Sequence, residues 1–260
     1  MTRTQTARLN TGLKTLRMAT IRKSYREQAD LARQETLSYE TYLLELVEQE
    51  CETRTHNRIQ RFLRESKLPL EKNLDTFDRK RLPAKVNGLV STLLGGDFLD
   101  RSENVLAFGN PGSGKTHLLC AIGQHLIHEG HRVLFTPCNL LVQQLLLAKR
   151  DLDLPRLLKR WDRYDTLILD DIGYVQHSRE EMEVLFAFLS HRYERGSIMI
   201  TSNLPFSKWE QIFKDEMTTA AAIDRLVHHC VILELNLPSY RLEHSKTRRK
   251  GNVKPAEGAS

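Results

Sequence analysis

Residues 108–117 read FGNPGSGKTH, which puts three glycines, a proline and a lysine directly behind the apolar run Val105-Leu106-Ala107. The stretch fits the phosphate-loop pattern G-x-x-x-x-G-K-[ST], with Gly109, Gly114, Lys115 and Thr116 on its fixed positions. Such a loop works only between a strand and a helix. Glycines let successive N–H groups turn inward on phosphate oxygens, and a helix that starts at the lysine adds the positive end of its dipole. The flanks supply both elements: ENVLAFG reads as a buried strand, and KTHLLCAIGQHLIHEG as an amphipathic helix that stops at Gly130. Gly109, Asn110, Pro111, Gly112, Ser113, Gly114, Lys115, Thr116 and His117 are therefore the candidate cradle for a nucleoside triphosphate. In it Lys115 is placed to reach the β- and γ-phosphates and the Thr116 hydroxyl to hold Mg²⁺. The alternative is a glycine-rich turn with a purely structural role.

Beyond that helix the chain alternates. HRVLFTP, DTLILDD, SIMITSN and CVILELN read as strands. NLLVQQLLLAKR, LPRLLKRWDRY, REEMEVLFAFLSHRYERG, SKWEQIF and EMTTAAAIDRLVHH read as helices between them. Strands without polar alternation, separated by helices, imply an α/β domain whose parallel sheet carries helices on both faces. Ligands of such sheets bind at the carboxyl ends of the strands. One of those ends presents Asp170-Asp171, and another Thr201-Ser202-Asn203. A carboxylate beside a phosphate loop can hold Mg²⁺ and a second can orient the attacking water, so Asp170 is assigned to the metal and Asp171 to the water. Helix or turn capping is the competing role for that pair. Asn203 can bond the γ-phosphate or the water. Arg225 lies on a late helix with no partner in its own phosphate loop. Delivered from a neighbouring subunit, its guanidinium would neutralise transition-state charge; an ion pair with Asp224 or Glu216 is the other reading.

The first 66 residues contain almost no Gly or Pro, and Tyr42, Leu43, Leu46, Val47, Ile59, Phe62 and Leu63 fall largely at helical spacing. We read 1–68 as a small all-α domain, 69–85 (with Pro69 and Pro83) as a linker, 86–243 as the nucleotide domain, and 244–260 as a basic disordered tail. Arg54, Arg58, Arg61 and Arg64 recur every three or four residues as one stripe, which is either a solvated face or a phosphate-contact surface. Lys149, Arg150, Arg156, Lys159 and Arg160 cluster in a helical insertion after the second strand and suit backbone contacts without base readout. The net charge of +6 divides into +6 over residues 1–34, +4 over 241–260 and −4 between them. That asymmetry points to basic arms that meet a polyanion. Adjacent His228, His229 and Cys230 cannot all face one ion and read as packing. No apolar run approaches the ~20 residues of a membrane span. The start lacks the apolar core of a secretory signal, and four scattered cysteines form no C-x-x-C pair, so a cytoplasmic protein is expected.

GNPGSGKT, LILDDIG, ITSN, AAAIDRLVHH and SYRL, in this order and spacing, resemble the AAA+ ATPases of the IstB/DnaC group, and within it the IstB type encoded beside a bacterial transposase. The resemblance spans nearly the whole chain. It implies a protein that assembles with ATP on duplex DNA and presents target DNA to the transposase, as a homo-oligomer with ATP sites shared between subunits. It also implies Lys115 and Thr116 as Walker A, Asp170 and Asp171 as Walker B, Asn203 as first sensor and Arg225 as arginine finger. Arg241 of SYRL then becomes a second sensor, and Phe77 of LDTFD a packing surface for adenine. Many AAA+ proteins carry Glu where Asp171 stands, a departure that bears on hydrolysis rate and not on ATP binding. A replicative helicase loader is the alternative within the same fold. A small-molecule kinase fits less well, because it needs neither basic arms nor a trans arginine.

Overall fold

The structure, a computed structural model, describes residues 2–173, 178–209 and 216–240. The chain divides into two compact units, Met1–Arg61 and Phe62–Ser260.

The first unit is built from α1 (Arg3–Thr15), α2 (Ala19–Gln34) and the greater part of α3 (Tyr39–Ser66). Its small core joins Leu13, Ile21, Tyr25 and Leu46, flanked by Leu9, Met18 and Tyr42. Helix α1 starts with a reciprocal cap between Thr2 and Gln5. Helix α2 has no such cap, because Met18 occupies the capping position. Glu50 of α3 takes over that role from across the unit, accepting from the Thr20 N–H at 2.8 Å and the Ile21 N–H at 3.0 Å. Arg54 completes the knot by donating to Glu50 at 2.8 Å and to the Arg17 carbonyl at 2.6 Å. The sequence-based boundary at residue 68 and the observed division at 61/62 differ for a physical reason. Helix α3 runs on without a break, while its last turn packs in the second unit. There Phe62 is buried, the Arg132 guanidinium lies 5.1 Å from its ring centroid, and Glu65 pairs with Arg132 at 3.2 Å.

The second unit holds α4 (Ala84–Leu94), α5 (Asp97–Asp100), β1 (Asn104–Gly109), α6 (Lys115–His128), β2 (Val133–Pro137), α7 (Cys138–Arg150), α8 (Leu154–Trp161), β3 (Thr166–Asp170), α9 (Arg179–Arg192), β4 (Ser197–Ser202), α10 (Glu216–Val227) and β5 (Cys230–Leu235). The strands form one parallel sheet in the order β2-β3-β4-β1-β5. Successive strand residues serve opposite faces. Leu106, Leu167, Leu169, Ile198 and Ile200 join the core under α7, α8, α9 and α10. On the other face α6 approaches so closely that a Cβ on Gly123 would lie 2.7 Å from the Ile168 side chain. Trp161 of α8 is buried in the same core.

The Glu50 knot gives a pH-dependent prediction. Burial alone would raise the Glu50 pKa, but hydrogen bonds from Ile21, Arg54 and Thr20 hold it below the ordinary glutamate value. A depressed folded-state pKa contributes stability that is present above the unfolded-state value and is lost as pH falls through the folded-state one. Glu50→Gln is expected to destabilise the helical unit by about 1–3 kcal/mol at neutral pH. Its deficit relative to the parent should close as pH falls below about 4. Hydrogen exchange at the α2 amides measures both effects.

Candidate functional site

The sheet register brings the phosphate loop, the acidic pair and Asn203 to one edge. Ala107 of β1 lies beside Thr201 of β4, and Phe108 beside both Ser202 and Glu234, so the phosphate loop leaves a strand with neighbours on either side. Gly109, Gly112 and Gly114 have φ of 151°, 81° and 97°, in the region that side chains disfavour. Space forbids a side chain as well. A Cβ on Gly109 would stand 2.2 Å from the Leu235 carbonyl oxygen, and one on Gly112 would stand 2.2 Å from the Ser239 hydroxyl. The result is a loop closing on a helix N-terminus, with Gly114 as the left-handed residue before α6. Lys115 Nζ folds back to donate to the carbonyls of Gly109 at 2.8 Å and Asn110 at 3.0 Å.

Behind the loop, Asp170 Oδ1 accepts from the hydroxyls of Thr116 and Thr201, each at 2.7 Å. The Thr201 oxygen in turn accepts the Asp171 N–H at 2.7 Å. Asp171 has φ of 64°, a conformation that Asp tolerates better than most residues. Lost hydration and the neighbouring Asp170 charge raise its pKa, against the opposing effect of Lys115. Two adjacent carboxylates and a hydroxyl form a hard oxygen donor set that calls for a cation, and the residues therefore fit Mg²⁺. Ser113 Oγ and Asn203 Oδ1 are buried without a hydrogen-bond partner among the described residues, and Asn203 lines a cleft with Gly109 and Asn110. The cradle, its unsatisfied polar atoms and the donor set fit a nucleoside triphosphate.

Segments far away in sequence wall the site. Thr76, Phe77, Asp78 and Arg81 face the loop from one side, Leu237 and Tyr240 from another. The Tyr240 N–H donates to the Gly112 carbonyl at 3.0 Å, and Arg81 donates to the Pro238 carbonyl at 3.1 Å beneath the Tyr240 ring. Phe77 lies over the loop: its ring edge would be 3.2 Å from a Cβ on Gly114. Burial lowers the His117 pKa, so the neutral imidazole is the form favoured near neutral pH. Sequence reasoning found the cradle and the acidic pair but gave Thr201, Gln124, Arg81 and Tyr240 no role. Only Thr201 had a signal, as a hydroxyl in ITSN at a strand end.

Arg225 stands at the opposite edge of the sheet, near Asn104 and Ile198 at the strand beginnings. Its guanidinium donates to the Ala221 carbonyl at 2.9 Å and lies 4.9 Å from the Phe186 ring centroid, with no ion pair among the described residues. Arg241 and the tail from residue 244 lie outside the described residues. His228 and His229 pack ring to ring, and no metal-binding cluster of His, Cys, Asp or Glu occurs among the described residues.

The candidate DNA residues are all exposed but not equally available. Arg54 is committed to the Glu50 knot. In the insertion Lys149 pairs with Glu183, Arg150 with Asp151 and Arg156 with Asp153, whereas Lys159 and Arg160 form no ion pair among the described residues. Arg58, Arg61 and Arg64 line the exposed side of α3.

Residues 11–248 match the family described as IstB-like ATP binding protein. The chain belongs to the IstB-like ATP-binding family. A Sinorhizobium fredii protein named as an insertion-sequence ATP-binding protein is 42% identical over 98% of this chain and 86% of its own length. A Pseudomonas aeruginosa protein named for the insertion sequence IS21 and ATP binding is 39% identical over 85% of this chain and 83% of its own. The crystal structure of the DnaC helicase loader matches with a TM-score of 0.55 at 19% identity, covering 63% of this chain and 96% of that one. At that identity the likeness concerns the fold alone. No helix among the described residues is long and apolar enough to cross a membrane.

Thr201 offers the sharpest test of how this IstB-like site is held. Thr201→Val keeps the volume but leaves the Asp171 N–H without its acceptor and Asp170 with one of its two hydroxyl donors, at an expected cost of about 1–3 kcal/mol in stability. It should also weaken Mg²⁺-dependent nucleotide binding, while Thr201→Ser retains both. Thermal melting and nucleotide titration of the two variants decide this.

Proposed function

We propose that this IstB-like chain is a cytoplasmic, Mg²⁺-dependent ATPase that assembles on duplex DNA, without sequence preference, and recruits or stimulates a transposase. The observation that carries the assembly is the placement of Arg225. Strand β1 separates it from the phosphate loop by about 16 Å of extended chain, so it cannot serve the γ-phosphate of its own subunit. Its guanidinium bonds the Ala221 carbonyl and lies against the Phe186 ring, but no carboxylate among the described residues neutralises it, which supports a role for its charge in a neighbour's site. ATP held between Lys115 of one copy and Arg225 of the next makes nucleotide binding and assembly thermodynamically linked. Arg241 is the second-sensor candidate in the same scheme.

Within one site, the loop N–H groups and Lys115 hold the phosphates, and Thr116 and Asp170 would hold Mg²⁺. The metal's contribution is to neutralise charge on the phosphate oxygens and fix their orientation. Asp171 is positioned by its N–H bond to Thr201 to orient the attacking water, and Asn203 to bond that water or the γ-phosphate. The helical domain 1–68 supplies the main duplex surface through Arg58, Arg61 and Arg64, with Arg54 more structural, joined by the insertion around Lys159 and Arg160. Transposition enters from the relatives, whose names tie them to insertion sequences.

Two variants test the shared site. Lys115→Ala should not bind ATP productively, and Arg225→Ala should bind it but neither hydrolyse it nor assemble fully. Mixed together they should recover part of the hydrolysis, because some interfaces then pair an intact Lys115 with an intact Arg225. Absence of recovery, with a monomer retaining parent activity in sedimentation at every ATP and DNA concentration, would overturn the trans arrangement. Duplex binding is expected to fall steeply with salt, since each phosphate contact releases counterions.

A further inference from the structure

Two side chains on one face of α6 hold a segment that composition marks only as a linker. Gln124 Nε2 donates to the carbonyls of Pro69 at 3.1 Å and Lys72 at 2.9 Å. One helical heptad earlier, His117 Nε2 lies 3.1 Å from the Asn73 carbonyl oxygen and 3.0 Å from the Thr76 hydroxyl. A carbonyl oxygen only accepts, so His117 carries a proton on Nε2. The loop also closes on itself. Thr76 N–H donates to Asn73 Oδ1 at 3.0 Å, Asn73 N–H donates to Thr76 Oγ1 at 3.2 Å, and that hydroxyl donates to the Glu71 carbonyl at 2.8 Å. Residues 71–76 therefore behave as one preformed unit, and His117 is its fastening at the end nearest the phosphate loop.

Phe77 is the next residue. Its ring meets the His117 imidazole edge-on, with centroids 5.2 Å apart and planes at 69°. It also covers Gly114, the last glycine of the loop. The grip on phosphates comes from the loop backbone, Lys115 and Thr116. The wall available to a base comes from Thr76, Phe77, Asp78 and Arg81, with Leu237 and Tyr240. His117 joins these halves: it is covalently next to Thr116 and hydrogen-bonded to the segment that carries Phe77.

We propose that His117 is a positioning residue for the nucleotide base, fixing Phe77 over the site and supplying the base-dependent part of the affinity without adding to the grip on the phosphates. The proposal rests on the nucleotide reading of the site. The experiment is calorimetric titration of the full chain with a non-hydrolysable ATP analogue and, separately, with inorganic tripolyphosphate, both with Mg²⁺. His117→Ala is expected to weaken the analogue about tenfold while changing tripolyphosphate by less than about twofold. His117→Gln, whose amide can donate to the same carbonyl, should recover most of the loss. Phe77→Ala should lose a similar factor, and the double variant little more than either single one, because both act through the same ring. Equal losses for both ligands in His117→Ala, or full additivity in the double variant, would overturn the proposal. If His117→Ala does not fold, loss of base-dependent affinity in Phe77→Ala and its retention in His117→Gln are both required. Lys115→Ala must weaken both ligands; if it weakens neither, the nucleotide reading itself falls, which is a distinct result.

Discussion

The carboxylate of Asp170 takes hydroxyls from two directions, Thr116 at the start of the phosphate-loop helix and Thr201 at the end of β4. Three segments that meet only through the fold are thereby locked at the carboxyl edge of the sheet. The lock also sets the electrostatics. Asp171 follows directly, held by its N–H on the same Thr201, and lost hydration together with the neighbouring acid raises its pKa. A pair of neighbouring carboxylates is unfavourable without a cation between or beside them. The protein groups of the site thus hold one another in place, which favours positioning without reorganisation during reaction.

Helix α6 carries the rest of the arrangement because its two sides do different work. Leu118, Leu119, Ile122 and Leu126 are fully buried, and Gly123 lets the helix approach the sheet closely. His117 and Gln124 instead reach the loop that precedes the domain's first helix. The segment after β5 closes the opposite side through Tyr240 and the stack of Arg81 on its ring. A shift of α6 would therefore move the phosphate cradle and the base-side wall together.

Charge along the sequence overstates the basic surface available to a polyanion. Arg54 is tied to Glu50 and the Arg17 carbonyl, and three of the cations in the insertion sit beside acids. Exposed pairs of the latter kind contribute only about 0–1 kcal/mol each, so a phosphate backbone can displace them at small cost. Arg54 is different, because its partner is buried and caps a helix. Taking it away from Glu50 would weaken the fold of the unit that carries it.

The phosphate loop, the alternation of strands and helices, the acidic pair and the identity of Asn203 and Arg225 as candidates all follow from local pattern. Glycine placement, hydrophobic period and residue type at strand ends are properties of short windows. Strand order, by contrast, needed the fold: nothing in the sequence places β1 between β4 and β5, because pairing partners in a parallel sheet are set by crossovers. The same holds for Thr201 on Asp170, Gln124 and His117 on the loop at 69–77, and Arg81 under Tyr240. Each is a contact across at least 31 positions, between side chains whose types are unremarkable in their own windows. Glu50 is the plainest case. In sequence it is one acid among several on a polar helix, and only the packing of α3 against α2 turns it into the cap that α2 lacks. Local periodicity determines which elements form and which loops can bind phosphate; which side chains hold those elements in place depends on distances that exist only after the chain has folded.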